Sequence, residues 1–233
     1  MPNLAQLRLF QLISPALPIG SFTYSQGMEW AIEAGWISDK DTLTRWLESV
    51  MQDSHTWLEF PILIRLYEIC RNNNDWDDTA KSEFYHWNAL LLSSRETSEF
   101  RQEEINRAKA LYQVLYKLPN HTPWLSLEAN KKAVKHTQLA GYVIACTENN
   151  ILLDDAMEGY LWSWLENSVT VAIKLIPLGQ SDGQSVLYTL SEMIPSIIEA
   201  AKKVDDNEIG ASTPAMAIAS SLHETQYTRL FRS

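Results

Sequence analysis

Apolar residues in this chain recur at the spacing of a helix nearly throughout, and at the spacing of a strand almost nowhere. Leu43, Trp46, Leu47 and Val50 fall at i, i+3, i+4 and i+7, with Ser38 and Asp41 placed as a capping box in front. A second helix, carrying Leu63, Ile64, Leu66, Tyr67 and Cys70, starts at Pro61 or is interrupted by it. RNNNDWDDT, Arg71 to Thr79, reads as a polar turn whose Asn and Asp side chains compete for backbone groups. Two helices are predicted next, over residues 78–92 and 96–116, bent around Ser93, Ser94 and Arg95. LPNHTPW, Leu118 to Trp124, reads as a linker. Ser126 can then cap a long helix through Ala133, Leu139, Ala140, Val143 and Ile144 to Thr147. Asp154 and Asp155 suit the positive end of the following helix. Val169 to Ile176 is the only strand-like run, yet Leu161, Trp164, Leu165, Ser168, Ala172, Leu175 and Ile176 extend a helical stripe through it. A helix resumes after PLGQSDGQ and runs to Val204, and a shorter one precedes the tail. The expectation is an all-α fold: one domain over residues 1–233 with roughly ten helices, loose near residues 1–5 and 225–233.

Composition closes off several classes of function. A formal charge of −10 argues against a nucleic-acid binder, which needs a Lys/Arg surplus to neutralise phosphates. It fits a basic protein partner, or plain solubility. With 45% hydrophobic residues, nine Trp and nine Tyr, the chain can bury a core and still spare aromatics for an interface. No apolar run is long enough to span a membrane, and Met1-Pro2-Asn3 opens without the pattern of an export signal. Cys70 and Cys146 form no CxxC, so reduced, buried thiols in a cytoplasmic protein are expected.

SPALPIGSFTYSQGMEW, Ser14 to Trp30, breaks the helical rhythm. Pro15 and Pro18 force extended or turned backbone, and Gly20 and Gly27 allow positive φ or close approach. Phe22, Tyr24, Met28 and Trp30 are too apolar for a freely solvated loop. Ser21, Thr23 and Ser25 have no neighbouring base to activate them. Such a segment reads as a docking surface more than as an active site.

Three motifs offer chemistry. GQSDG, Gly179 to Gly183, matches G-x-S-x-G, and Ser181, Asp205 or Asp206, and His223 follow in the order of a hydrolase triad. That elbow belongs at a strand-to-helix turn; the alternative is that the two glycines shape an inter-helix loop. Asp154-Asp155-Ala156-Met157-Glu158 reads as DDxxE, but Asp77-Asp78 and Asp205-Asp206 lack the third acid of a second metal–diphosphate motif. His223-Glu224 begins like HExxH, and Tyr227 stands where the second His belongs. His55, His86, His121 and His136 are scattered, and no P-loop is present. SRETSEFRQEE crowds Arg95, Glu96, Glu99, Arg101, Glu103 and Glu104 together, as a solvated helix face or as a structural network. The tail Tyr227 to Ser233 places two arginines around Leu-Phe on an acidic chain, suited to ordering on a partner.

The Ser14–Trp30 segment resembles the N-terminal signature of the UreF family of urease accessory proteins. SSRETSEFRQEEINRAKAL (Ser93 to Leu111), KLIPLGQSDGQSVL (Lys174 to Leu187) and SSLHETQYTRLFRS (Ser220 to Ser233) extend that resemblance in order along the chain. Phe100 and Lys109 depart from the family pattern in the second block. The resemblance implies an all-α adaptor, not an enzyme, that dimerises and joins a UreD-type (also UreH-type) accessory protein. The pair would recruit a UreG-type GTPase for GTP-dependent delivery of Ni²⁺ to apo-urease. It implies partner-binding roles for Pro15, Pro18, Gly20, Ser21, Phe22, Ser25, Gly27 and Glu29. The third block adds Lys174, Pro177, Gly179, Gln180, Asp182, Gly183 and Gln184, and both groups are assigned to the GTPase side. His223, Glu224, Arg229, Leu230, Phe231, Arg232 and Ser233 are assigned to the UreD/UreH side. Ser94, Arg95, Glu96, Ser98, Glu99 and Arg101 would form a structural or dimer network. Without an imidazole–thiolate cluster, Ni²⁺ and GTP are expected to be handled by the complex, with no metal or cofactor held by this chain itself. The rival from another class is a serine hydrolase using Ser181 with His223.

Overall fold

The computed structural model describes residues 4–72, 76–118 and 134–232, and these are helical with no strand among them. In chain order the helices are α1 (Leu4–Ile13), α2 (Met28–Glu33), α3 (Lys40–Val50), α4 (Phe60–Asn72), α5 (Asp78–Ser93) and α6 (Ser98–Lys117). They continue with α7 (Gln138–Glu148), α8 (Leu153–Leu175), α9 (Gln180–Ser191), α10 (Ile194–Ala201) and α11 (Pro214–His223). The linker after Leu118, the Ser126 cap and the start of the long helix it was to open lie outside the described residues, as do His121 and Ser233.

Helix α7 is the centre of the bundle. Every residue from Gln138 to Cys146 is buried, because α4 and α6 pack on it from two sides. A helix apolar all round needs such cover. The 23-residue α8 forms a second axis, gripping α1, α9 and α10. It runs unbroken through Val169–Leu175, so the strand-like run is helix. None of the described helices is long and apolar enough to cross a membrane. Neither cysteine is bridged; Cys146 is buried and Cys70 half-buried.

Local chemistry moves several expected boundaries. The capping box in front of α3 is Asp39 with Thr42, one residue beyond the expected pair: the Asp39 carboxylate accepts from Thr42 N at 2.8 Å, and Thr42 Oγ1 accepts from Asp39 N at 3.0 Å. Helix α3 flows into a nine-residue π-helical stretch, Met51–Glu59, and then into α4. Pro61 neither starts nor breaks this rod. Its missing N–H leaves the Trp57 carbonyl free, and Gly210 N fills it from another segment at 2.9 Å. The single helix expected from PLGQSDGQ to Val204 is two, α9 and α10, because Pro195 cannot donate in the first turn of α10. Helix α6 begins at Ser98, capped by Thr97 Oγ1, which accepts from Phe100 N at 3.1 Å.

Candidate functional site

Three of the four singled-out blocks meet at one place. The Ser14–Trp30 segment folds as tight turns: Leu17 N donates to Ser14 O at 2.9 Å, and Ser21–Thr23 makes one 3₁₀ turn after Gly20 at φ 74°. Pro15, Pro18 and Phe22 face outward, while Leu17, Ile19 and Tyr24 anchor the segment in the core. Ser25, Gly27 and Glu29 are buried, and Ser21 O accepts from Asn167 Nδ2 of α8 at 3.2 Å. Gly27 carries two constraints at once. Its φ is +79°, and a Cβ there would lie 2.6 Å from the backbone nitrogen of Ser220 in α11. Gly27→Ala is therefore expected to cost about 2–5 kcal/mol through strain plus overpacking. Gly35→Ala, at φ +76° with nothing within 4 Å, should cost only the strain, about 1–2 kcal/mol. Urea unfolding of the two variants checks the contrast.

The C-terminal segment, expected to be loose, makes a series of contacts with this surface. Glu29, buried at the start of α2, accepts from Leu230 N at 2.7 Å and from Phe231 N at 2.9 Å. Its Oε2 also lies 3.3 Å from His223 Nε2. The other ring nitrogen of His223 is 2.8 Å from Glu99, whose second oxygen takes Arg229 at 2.9 Å. Glu224 closes the open end of α6, accepting from Ser98 N at 3.0 Å, Ser98 Oγ at 2.6 Å and Glu99 N at 3.3 Å. Arg232 N reaches Thr23 O at 2.9 Å, and Phe231 packs on the core. The backbone is thus spent inward, and the side chains of Tyr227 and Leu230 point out at 102% and 76% exposure. On α11, Ile218 and Leu222, one turn apart, are also exposed.

This geometry brings together residues assigned to different partners. Glu29, assigned with the first block to the GTPase side, lies beneath the tail assigned to the other partner. The third block stands on α8 and α9 instead: Lys174, Pro177, Gly179, Gln180, Asp182 and Gln184 are exposed around the start of α9. Gly183 is buried inside α9, where a Cβ would come within 2.3 Å of Ile173. It lets α9 pack on α8 and makes no elbow. His223 is fully buried with both ring nitrogens on glutamates, so it has no nitrogen to offer Ser181, and the hydrolase reading fails. Asp154 of the DDxxE string pairs with Lys202 at 2.8 Å. No three His, Cys, Asp or Glu side chains are grouped to hold a metal among the described residues.

The crowded charges around Arg95 divide into two environments. Glu96, Ser98 and Arg101 are exposed, Arg101 donating to the Arg95 carbonyl, and Ser94 Oγ donates to Leu90 O at 2.9 Å. Arg95 itself turns inward between Glu59 at 3.0 Å and Glu104 at 2.8 Å. Tyr160 donates to the other Glu59 oxygen at 2.8 Å, and Gln138 N to Glu104 at 2.8 Å. Glu103 binds Arg107 at 2.8 Å and Gln26 at 3.0 Å, and Gln26 also accepts from Trp164 at 2.8 Å. Sequence reading missed Glu59, Gln26, Tyr160 and Trp164 here. The one local signal was a lone acid, Glu59, at the edge of the apolar run Phe60–Ile64.

Burial alone would raise the Glu59 carboxyl, but Arg95, His55 and the Tyr160 hydroxyl overcome that and hold it at about 2. A depressed carboxyl contributes stability that is complete above its unfolded value of 4.5 and lost as pH falls from there toward 2. The contribution is up to roughly 3 kcal/mol. Denaturant unfolding of the native chain between pH 6 and 2.5 should show this loss (pH values about those limits), and Glu59→Gln should flatten it.

The family model described as UreF matches residues 37–191. The chain is 53% identical to a urease accessory protein UreF of Alcanivorax borkumensis over 100% of both sequences. It is 41% identical to a protein of that name from Pseudomonas putida over 99% of both, and 39% identical to one from Alkalilimnicola ehrlichii over 100% of this chain and 97% of that one.

Proposed function

Because this chain belongs to the UreF family of urease accessory proteins, and so supports urease maturation, we propose that it acts there as an adaptor that catalyses nothing itself. Its C-terminal face recruits a UreD/UreH-type accessory protein, and the pair brings in a UreG-type GTPase for GTP-dependent nickel insertion into apo-urease. The observation that supports this reading most is the fastened tail. Glu29 holds its backbone and Glu99 its Arg229, leaving the side chains of Tyr227 and Leu230 exposed, with the exposed arginines Arg229 and Arg232 in the same segment. Exposed aromatic and arginine side chains around an apolar centre are what a protein partner uses as anchors. The exposed start of α9, with Lys174, Gln180, Asp182 and Gln184, is the surface proposed for the GTPase, and the working form is a homodimer.

The test is activation of apo-urease by the other accessory proteins with GTP and Ni²⁺, using the full chain, the chain cut after Thr228, and Leu230→Asp. Leu230→Asp keeps the backbone bonds to Glu29 and changes only the outward side chain. Both altered forms should lose co-purification with the UreD/UreH-type protein and most of the activation. Activation that proceeds equally without the chain would defeat the adaptor reading. Full activation by Leu230→Asp would move the partner off the tail.

A further inference from the structure

Among the π-helical stretch, α6, α7 and α8 lies a polar cavity of about 40 Å³, room for about three waters. His55 stands in its wall, fully buried, and burial pushes its imidazole down and keeps it neutral. Its Nδ1 lies 3.4 Å from the carbonyl of Val50, which can only accept, so Nδ1 carries the proton and Nε2 presents a lone pair. That Nε2 has no hydrogen-bond partner among the described residues. Two aromatic donors of the same wall are used elsewhere. Trp164, its ring 4.7 Å from the imidazole between centroids, gives its Nε1–H to Gln26 Oε1 at 2.8 Å. The Tyr160 hydroxyl donates to Glu59 at 2.8 Å.

The opposite need stands in the same wall. Arg107 Nη1 is bonded to Glu103 at 2.8 Å, but the N–H at Nε, out of reach of solvent, meets no acceptor among the described residues. One buried acceptor and one buried donor are thus left, and each is costly if it stays unmet. A water is the smallest guest that answers both, since it accepts and donates at once. Cavities that stay dry are lined by apolar side chains, whereas Ser54, Gln138 and Ser163 line this one beside the charged groups.

We propose that this cavity is a built hydration site: a run of about two or three waters that accepts from Arg107 Nε and donates to His55 Nε2. Its direction is fixed, because Arg107 Nε can only donate and His55 Nε2 can only accept. The run ties α6 to the middle of the π-helical stretch, a backbone conformation rare enough to need local support. The site does not rest on the adaptor reading and is tested on the chain alone.

The experiment is a crystal structure of the full chain at a resolution that orders water, joined to nitrogen NMR of the histidine rings and a second data set under xenon pressure. Water should stand within hydrogen-bond distance of both Arg107 Nε and His55 Nε2, and the His55 ring should be neutral with its proton on Nδ1. Xenon, which enters dry apolar cavities, should stay out. His55→Leu should lose the water beside position 55 and keep the one on Arg107 Nε; the native-chain measurements stand whether or not that variant folds. Xenon in the native cavity, no ordered water there, or a His55 proton on Nε2 would overturn the proposal. An ion or other solute in place of the waters, or a His55→Leu protein that keeps every one of them, would overturn it as well.

Discussion

Replacing Arg95 by methionine is expected to cost about 3–5 kcal/mol, the loss typical of breaking a buried ion pair on one side. Arg95 is largely buried, its side chain 12% exposed, with one carboxylate on each side at 3.0 Å and 2.8 Å. Methionine fills most of the volume but supplies no donor, so Glu59 and Glu104 face each other across an apolar side chain. At about 2–4 °C per kcal/mol for a chain of this size, the unfolding midpoint should fall by about 6–20 °C. The compensating triple variant, Arg95→Met with Glu59→Gln and Glu104→Gln, removes the stranded charges and should recover most of that loss. Differential scanning calorimetry of both proteins decides it. A single variant within about 1 kcal/mol of native would mean the pair is solvated in solution.

Glu29→Ala should act differently: a modest effect on the midpoint and a large one on function. Each tail amide bonded to Glu29 is a charge-assisted contact of about 1.5–3 kcal/mol, but a released segment can open into water without unfolding the bundle. The global cost is therefore capped at the cost of local opening. Amide exchange at Leu230 and Phe231 should rise to that of an unprotected chain, and that at Val143 or Leu161 in the core should change little. Apo-urease activation should fall as far as it does for the chain cut after Thr228. Glu29→Ala with full activation would show that the partner orders the tail without help from α2.

How much of this was legible in the sequence follows the range of the forces involved. Helix periodicity and turn residues act within a few positions, so α3, α5 and α8 were readable, including the stretch that resembled a strand. The errors within that range were local competitions: Asp39 against Ser38 for the cap, and Pro195 splitting one stripe into α9 and α10. The charges around Arg95 were visible as a cluster, but their burial was not. It depends on Glu59, 36 positions away, and on Gln26, 77 positions from Glu103. No local rule pairs residues at such distances. The same holds for Glu29, a polar residue in the signature segment whose partners are 194–202 positions further on. Resemblance identified the blocks, and only tertiary packing showed which of them meet.

The grip of Glu29 on Phe231 has a consequence in time. Closing a loop of about two hundred residues is entropically among the most expensive contacts of the described residues, though the cost grows only as the logarithm of length. It becomes favourable once α2, α6 and α11 have already assembled the pocket that receives the tail. Local helices and the α4–α6–α7 centre should thus form first, with the partner face completed last. After any unfolding and refolding, helical content should return ahead of the ability to capture a partner, and the lag between them measures how long the molecule is folded yet unready.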